Sequence, residues 1–299
     1  MTIYLNGAYM PIEEAKVPVL DRGFIFGDGV YEVIPVYSRR AFRMAEHLKR
    51  LQHSLDGIKL PNPHSESEWT DILNELIQRN APEDQYLYLH ITRGVAKRDH
   101  AFPNPPVPPT VFVLSNPLTT PPAELLHNGI ACITVQDNRW LRCDIKAIAL
   151  LPNVLLRQAA VEAGCAEAIL IRDDAFLTEG AASNIFVVKN GTLLAPPKDN
   201  LMLPGITYDV ILELAAANGI PYEVRKVMKA EVFNADELLL TSSTKEVLAI
   251  TMLDGQPVGN GQPGAMFAKL HSLYQTFKRE VMRQAPSPAG GGLGWGNAP

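Results

Sequence analysis

The sequence predicts an α/β protein that folds as two domains. Its 299 residues are 46% hydrophobic and 20% charged, which provides enough apolar material for a sizeable core. Runs rich in β-branched and aromatic residues alternate with segments of helical periodicity. The segment 116–122 (NPLTTPP) interrupts this periodicity with three prolines and is the best linker candidate. A single large α/β domain is the alternative that the length allows.

Five runs before this linker favour strands, because they alternate in polarity or are rich in β-branched and aromatic residues. They comprise residues 2–5, 8–10, 29–37, 86–93 and 110–114. Asn6-Gly7, between the first two runs, is typical of a hairpin turn. Pro18 limits residues 17–20 to an edge strand at best, because proline cannot donate to a ladder. Residues 21–28 are predicted as turns.

Two helices are predicted between the third and fourth of these runs. The first places three leucines on one face and three polar residues on another, namely Leu48, Leu51 and Leu55 against His47, Arg50 and Ser54. The second begins at a capping box of Ser65 and Glu68, and apolar residues follow at helical spacing from Trp69 to Ile77. Residues 94–109 are rich in proline and charge and are predicted as a long loop, a feature that is usually functional or mobile.

Beyond the linker, predicted strands and helices are interspersed without a repeat of fixed period. The strands are 130–135, 167–172, 184–188 and 237–240, and the helices are 154–163, 208–218, 229–234 and 265–282. The Gly- and Pro-rich tail from Ser287 to Pro299 is expected to be disordered.

Charge and cysteine content argue against several classes of function. A net charge of −5 implies no strongly basic face, so nucleic acid is not an expected partner. The three cysteines contain no C-x-x-C pair and indicate neither a disulfide framework nor a metal site, which fits a reducing, cytoplasmic location. The N-terminal residues show no signal-peptide pattern, and no apolar run approaches the ~20 residues that cross a bilayer. We therefore expect a soluble protein without a membrane partner.

Lys146 is the first candidate for covalent chemistry. Apolar residues dominate on its C-terminal side, and burial of a lysine favours the free amine that Schiff-base formation requires. The alternative is a surface lysine with an exposed ammonium group, which is the commoner situation for this residue type.

Two segments are candidates for binding a phosphate. Ile206 and Thr207 lie at the start of a predicted helix, where free N–H groups and the threonine hydroxyl can hold an anion. Ser242 and Ser243 follow a predicted strand and can supply further donors. Each segment alone is more often an N-cap or a turn.

Three charged residues complete the set of candidates. Glu179 precedes Gly180, a residue that permits a close backbone approach. Arg98 and His100 form a cationic cluster in the long loop that can bind a carboxylate. The alternatives are an exposed carboxylate in a turn and a solvated run of charges.

Eight segments together resemble the fold-type IV pyridoxal-phosphate (PLP) enzymes, and most closely the D-amino-acid aminotransferases. They are 21–33 (DRGFIFGDGVYEV), 46–51 (EHLKRL), 91–103 (ITRGVAKRDHAFP), 139–155 (RWLRCDIKAIALLPNVL), 167–170 (EAIL), 178–186 (TEGAASNIF), 203–210 (LPGITYDV) and 241–247 (TSSTKEV). The order of all eight segments together is specific to this family, whereas any one segment alone is only a weak indication of it. The resemblance implies a smaller N-terminal α/β domain (1–118), a larger C-terminal pseudo-barrel domain that binds PLP (119–285) and a disordered tail (286–299).

The resemblance also implies how the cofactor, pyridoxal 5'-phosphate, is bound. Lys146 carries the covalent bond to it and then acts as the base and acid that moves the substrate proton. Glu179 pairs with the ring nitrogen. The phosphate is held by Arg50, Ile206, Thr207, Ser242 and Ser243, and no metal is implied.

The resemblance further implies that three residues select the substrate. Tyr31, Arg98 and His100 match the residues that bind the substrate carboxylate in the D-amino-acid enzymes. In those enzymes the neighbouring subunit supplies the loop with the arginine and histidine, so a homodimer is implied. Branched-chain relatives and aminodeoxychorismate lyases lack this Arg-x-His pattern.

The implied function is transfer of an amino group from a D-amino acid such as D-alanine to a 2-oxo acid such as 2-oxoglutarate. Two alternatives keep the cofactor: a lyase of the aminodeoxychorismate type, and a transaminase of (R)-amines or branched-chain amino acids. A third is a catalytically silent PLP-binding protein, against which the intact set of Lys146, Glu179 and Arg50 argues.

Overall fold

The computed structural model describes residues 1–282, and the expected disordered tail (286–299) lies outside the described residues. The strands are β1 (Thr2–Leu5), β2 (Ala8–Pro11), β3 (Gly29–Tyr37), β4 (Arg40–Ala41), β5 (Gln85–Thr92), β6 (Thr110–Pro117), β7 (Ile130–Gln136), β8 (Glu167–Arg172), β9 (Phe176–Gly180), β10 (Asn184–Lys189), β11 (Thr192–Ala195), β12 (Tyr222–Val224), β13 (Val227–Met228), β14 (Glu237–Ser242), β15 (Glu246–Leu253) and β16 (Gln256–Pro257). The helices are α1 (Arg22–Phe26), α2 (Met44–Gly57), α3 (Glu66–Arg79), α4 (Ala123–Asn128), α5 (Leu151–Glu162), α6 (Ile206–Ala217), α7 (Lys229–Phe233) and α8 (Ala265–Met282), with a 3-10 turn at Ile12–Glu14.

These strands form two sheets. The first has six antiparallel strands in the order β2-β1-β6-β5-β3-β4. The second has ten, in the order β12-β11-β10-β14-β15-β7-β8-β9-β13, with β16 added beside β15. It is mixed, because β7 pairs in parallel with both β8 and β15. The chain leaves the first sheet at Pro117 and enters the second at Ile130.

Helices α2 and α3 contribute the apolar faces that the sequence predicts. Leu51, Leu55, Leu73 and Leu76 are fully buried in one cluster with apolar side chains of β3 and β5, and each such burial contributes roughly 1.5–3 kcal/mol. The predicted capping box at the start of α3 is confirmed, since both of its reciprocal hydrogen bonds are present. The first sheet and these helices therefore share one core.

The polar face of α2 is buried as well. His47, Arg50 and Ser54 are at most 7% exposed. The Arg50 Nη1 donates to the Pro204 carbonyl oxygen at 2.9 Å, and the Ser54 hydroxyl oxygen accepts a hydrogen bond from the Lys146 N–H at 3.1 Å. Helix α2 therefore connects the first sheet to segments from the later part of the chain.

The segment that carries Lys146 is bound directly to β3. The Tyr31 N–H donates to the Lys146 carbonyl oxygen at 2.9 Å, and the Ile148 N–H donates to the Gly29 carbonyl oxygen at 3.1 Å. Val30 and Ala147 form an isolated antiparallel bridge between the two segments. Lys146 therefore lies where the two sheets meet.

Two expectations for the N-terminal part are wrong. Residues 17–20 form no strand, because Pro18 lacks a donor and the flanking side chains remain exposed with no neighbouring strand. Residues 21–28 contain the short helix α1, which is capped by Asp21, whose Oδ1 accepts the Gly23 N–H at 2.8 Å. Gly27 ends it with a left-handed φ of 65°.

Beyond residue 117, each predicted strand and helix is present within a few residues of its expected ends. The linker expected at 116–122 is shorter, because β6 runs on to Pro117 and α4 begins at Ala123. Within residues 1–282, no helix is long and apolar enough to span a membrane, and no group of three His, Cys, Asp or Glu side chains is placed to hold a metal ion.

Candidate active site

A cavity of about 1080 Å³ lies between the two sheets. Eight residues singled out from the sequence line it, namely Tyr31, Arg50, Lys146, Glu179, Ile206, Thr207, Ser242 and Ser243. They come from β3, α2, β9, the start of α6, the end of β14 and the segment before α5. Arg98 and His100 are exposed and do not line it. The fold thus brings together every candidate except these two.

Lys146 is half-buried in the wall of the cavity. Its backbone is held by Ser54 and Tyr31, as described above, which fixes the origin of the side chain. The Lys146 Nζ lies 4.3 Å from the centroid of the Tyr31 ring, a distance at which an aromatic face attracts a cation. An amine on a fixed backbone beside an aromatic ring is suited to attack a carbonyl carbon inside the cavity.

Glu179 is buried at the end of β9 and accepts three hydrogen bonds. They come from Arg139 Nη1 at 2.5 Å, the Leu203 N–H at 3.2 Å and Asn184 Nδ2 at 3.4 Å. Burial raises the pKa of Glu179 to about 7, against the opposing effect of Arg139. The carboxyl group can therefore share a proton with a basic nitrogen in the cavity near neutral pH.

Arg139 is a site residue that the sequence analysis did not single out. Besides Glu179, it binds Asp137 through Nε at 2.9 Å and Nη2 at 2.9 Å. Asp137 also accepts the Thr178 hydroxyl at 2.7 Å and lies 3.1 Å from Arg172 Nη2. The available signal was a pair of opposite charges two residues apart directly after a strand. The chain of ion pairs fixes the position of Glu179.

The start of α6 and the end of β14 form a cradle for an anion. Gly205 precedes the helix, and the N–H groups of its first turn are free of intrahelical partners. A Cβ atom on Gly205 would lie 2.0 Å from Asn184 Oδ1, so the backbone passes close to β10. The buried Thr241 Oγ1, which also lines the cavity, has no hydrogen-bond partner among the described residues. These donors, with Arg50, suit a phosphate group.

Arg50 is held in place by a carboxylate that the sequence analysis also missed. Its Nε and Nη2 bind the two oxygens of Glu32 at 2.7 and 2.8 Å, and His47 Nδ1 lies 2.8 Å from Glu32 Oε2. Burial alone would raise the pKa of Glu32, but Arg50 and His47 hold it well below its usual range. The bidentate pair fixes the guanidinium plane at the edge of the cavity.

Comparison with known proteins places the chain in a family. The model of the family described as amino-transferase class IV matches residues 29–253. The chain belongs to the class IV aminotransferases. It is 42% identical, over 275 residues, to the D-alanine aminotransferase of Bacillus licheniformis, a match that covers 92% of this chain and 96% of that protein.

Solved structures of other class IV aminotransferases share the fold. The branched-chain amino acid aminotransferase of Escherichia coli has a TM-score of 0.86 and 27% identity, covering 92% of this chain and 93% of that one. The branched-chain enzyme of T.th., solved with pyridoxamine 5'-phosphate, also has a TM-score of 0.86 and 27% identity, with 95% of each chain covered. The expected fold-type IV architecture is confirmed.

Proposed function

We propose that this class IV aminotransferase transfers the amino group of a D-amino acid, such as D-alanine, to a 2-oxo acid, such as 2-oxoglutarate. The observation that carries the proposal is the shared cavity of Lys146, Glu179 and the anion cradle in a chain 42% identical to a D-alanine aminotransferase. The solved structures of branched-chain enzymes are only 27% identical. The Arg98-x-His100 loop favours the D-amino-acid reaction over theirs.

The cofactor is pyridoxal 5'-phosphate, and the lining residues fit it. Its phosphate matches the cradle of Ile206, Thr207, Ser242 and Ser243 together with the Arg50 guanidinium. When bound, PLP supplies an electron sink for the charge that develops on the substrate Cα. Glu179, with its pKa near neutrality, holds the proton on the ring nitrogen that strengthens this sink.

Lys146 supplies the amine that binds the cofactor and the group that moves the substrate proton. The free Lys146 amine would take the proton from the substrate Cα as a base and, as an acid, would deliver it to the cofactor carbon that carries the aldehyde. Its backbone is anchored on β3, so the amine approaches from one side only. The face on which the carboxylate is held then decides which enantiomer presents its Cα–H bond to Lys146.

Tyr31, Arg98 and His100 are proposed to hold the substrate carboxylate. Because Arg98 and His100 lie outside the cavity of their own chain, we propose a homodimer in which each loop serves the partner's cavity. Exposed apolar side chains near the cavity and the loop support such an interface. They are Val19, Phe24, Trp140, Leu141, Leu151 and Leu155, all at least half exposed in the single chain.

We also propose a division into two domains and a cytoplasmic location. The domain boundary at residues 118 and 119 is supported by the change of sheet between Pro117 and Ile130. A cytoplasmic location is supported by three cysteines that form no disulfide bond.

A donor screen with the purified holoenzyme tests the proposed function. We expect D-alanine to convert the bound PLP to its amine form and 2-oxoglutarate to restore it, while L-alanine and L-leucine react far more slowly. Lys146→Ala is the control and is expected to abolish the D-alanine reaction. Faster reaction with L-leucine would favour a branched-chain enzyme, and the absence of any half-reaction would contradict transaminase activity.

A further inference from the structure

The loop that carries Arg98 and His100 is held by a buried arginine of α1. Arg22 is only 3% exposed. Its Nη1 donates to the carbonyl oxygens of Asp99 at 2.6 Å and Ala101 at 3.2 Å, and its Nη2 donates to that of His100 at 3.5 Å. Three consecutive carbonyl groups of the loop thus converge on one guanidinium group.

Asp28 fixes the orientation of this guanidinium group. Its Oδ2 accepts hydrogen bonds from Arg22 Nε and Arg93 Nε, both at 2.8 Å, and its Oδ1 accepts one from Arg93 Nη2 at 3.0 Å. Burial would raise the pKa of Asp28, but the two arginines keep it below its usual value. Arg93 also contacts the far end of the loop, with its Cζ 3.7 Å from the centroid of the Phe102 ring.

The side chains of Arg98 and His100 are oriented by the same helix. The Phe26 ring centroid lies 5.5 Å from Arg98 Cζ and 5.3 Å from the His100 ring centroid. Arg22 Cζ lies 4.8 Å from the same ring. The two exposed side chains therefore rest on a ring that also contacts the clamped guanidinium group of Arg22.

We propose that Arg22 is a positioning residue for substrate selection, which holds Arg98 and His100 ready to bind the substrate carboxylate. The inference rests on the proposed function. An exposed arginine on an unsupported loop must be ordered when substrate binds, and the conformational entropy that it loses weakens binding. The clamp of Arg22 and Asp28 orders the loop in advance, so this cost falls on folding instead of binding.

Replacement of Arg22 tests the proposal in the holoenzyme. We expect Arg22→Met to raise KM for D-alanine about tenfold, with much smaller changes in kcat and in the absorbance of bound PLP, because the cofactor site is untouched. Arg22→Lys, which keeps one cationic donor, should recover part of the loss.

Arg39→Met is a matched control. Arg39 also donates to several backbone carbonyl groups, but these lie at and just after the end of α3, at Ile77, Gln78, Asn80 and Ala81. Its loss should lower the unfolding temperature without changing KM. An equal rise in KM in both variants would show a general structural effect and would overturn the proposal.

A double-mutant cycle separates this inference from the proposed function. In a background that carries both Arg98→Ala and His100→Ala, Arg22→Met should raise KM little further, because Arg22 acts through Arg98 and His100. Additive effects would overturn the inference. The inference would also be overturned if Arg98→Ala raised KM while Arg22→Met left it unchanged. That outcome would leave the proposed function intact. If Arg98→Ala itself leaves KM unchanged, the proposed carboxylate site fails, and the inference fails with it. Should Arg22→Met not fold, Arg22→Lys enters the same cycle.

Discussion

At the scale of single residues, the pKa of Glu179 has a consequence for stability. Burial raises it to about 7, so between its unfolded value of about 4.3 and neutrality the folded state keeps a proton that the unfolded state has lost. This carboxyl therefore lowers the stability of the cofactor-free protein as pH rises through that window. Glu179→Gln removes the titration.

We therefore expect the stability of Glu179→Gln relative to wild type to increase with pH, by at most about 3 kcal/mol in the cofactor-free protein. Chemical denaturation at about pH 5 and about pH 8 measures the difference. The opposite trend would show that attraction to Arg139 outweighs burial in setting the pKa.

The residue types along the chain predicted the candidate site residues, but they did not predict the side chains that hold those residues in place. Lys146, Arg50 and Glu179 were identifiable because their residue types match a known pattern. The contacts by which Glu32 holds Arg50 and Arg139 holds Glu179 form only when β3 packs on α2 and β9 approaches the segment after β7. Spacing along the chain carries no signal for such pairs, because the partners meet only in the folded protein.

At the scale of elements, the start of α6 depends on a glycine. A Cβ atom at Gly205 would meet Asn184 Oδ1 at 2.0 Å, and Asn184 in turn contacts Glu179 and the Leu203 carbonyl oxygen. We expect Gly205→Ala to shift the first turn of α6 and weaken PLP binding about tenfold. Titration of the cofactor-free protein with PLP, followed by absorbance, measures the affinity.

Ala216→Gly, at an exposed position near the other end of α6, is the control. It costs about 1 kcal/mol of helix stability without touching the cradle. Equal loss of PLP affinity in both variants would mean that general helix stability, and not the close approach at Gly205, governs binding.

Elements with a strong local pattern were predictable, and weakly patterned ones were not. The capping box of α3 and the alternation of β5 are encoded within a few residues. The strand β15 was missed because its residues are almost all buried, so its run EVLAITML has neither a strand's nor a helix's period. The short strands β12 and β13 have too few residues for any period and form through pairing with distant strands.

At the scale of the whole molecule, the proposed exchange of loops between subunits predicts complementation. Lys146→Ala and Arg98→Ala are each expected to impair activity. In a mixed dimer, one cavity would combine an intact Lys146 with the intact loop of the other subunit. Random co-assembly should then restore about a quarter of wild-type activity, because half the dimers are mixed and each has one intact cavity.

The matched control is co-assembly of Arg98→Ala with His100→Ala, in which no cavity receives an intact loop. It should remain as impaired as its parents. Co-assembly of Lys146→Ala with Arg98→Ala that recovers no activity would show that the loop serves its own chain. Activity in mixtures, with subunit exchange verified by tagged copies, decides between these arrangements.

The two-domain expectation followed from length and the alternation of elements, but the order of strands in each sheet did not. Strand β15 pairs with β7, more than a hundred residues earlier, and so joins the two ends of the C-terminal part. Such long-range pairings depend on how the whole sheet packs, so they cannot be predicted from local propensity.

The bridge between Val30 and Ala147 attaches Lys146 mechanically to the first sheet, although Lys146 follows the linker in the chain. Its backbone is bound to β3 and α2, whereas Glu179, Thr207 and Ser243 belong to or adjoin the elements of the second sheet. Any widening of the cleft between the sheets therefore carries the amine along with Tyr31 and away from the phosphate cradle. The spacing between the Lys146 and Tyr31 backbones stays constant in such a motion, and Arg50, on α2, moves with them, whereas Glu179, Thr207 and Ser243 move relative to the amine.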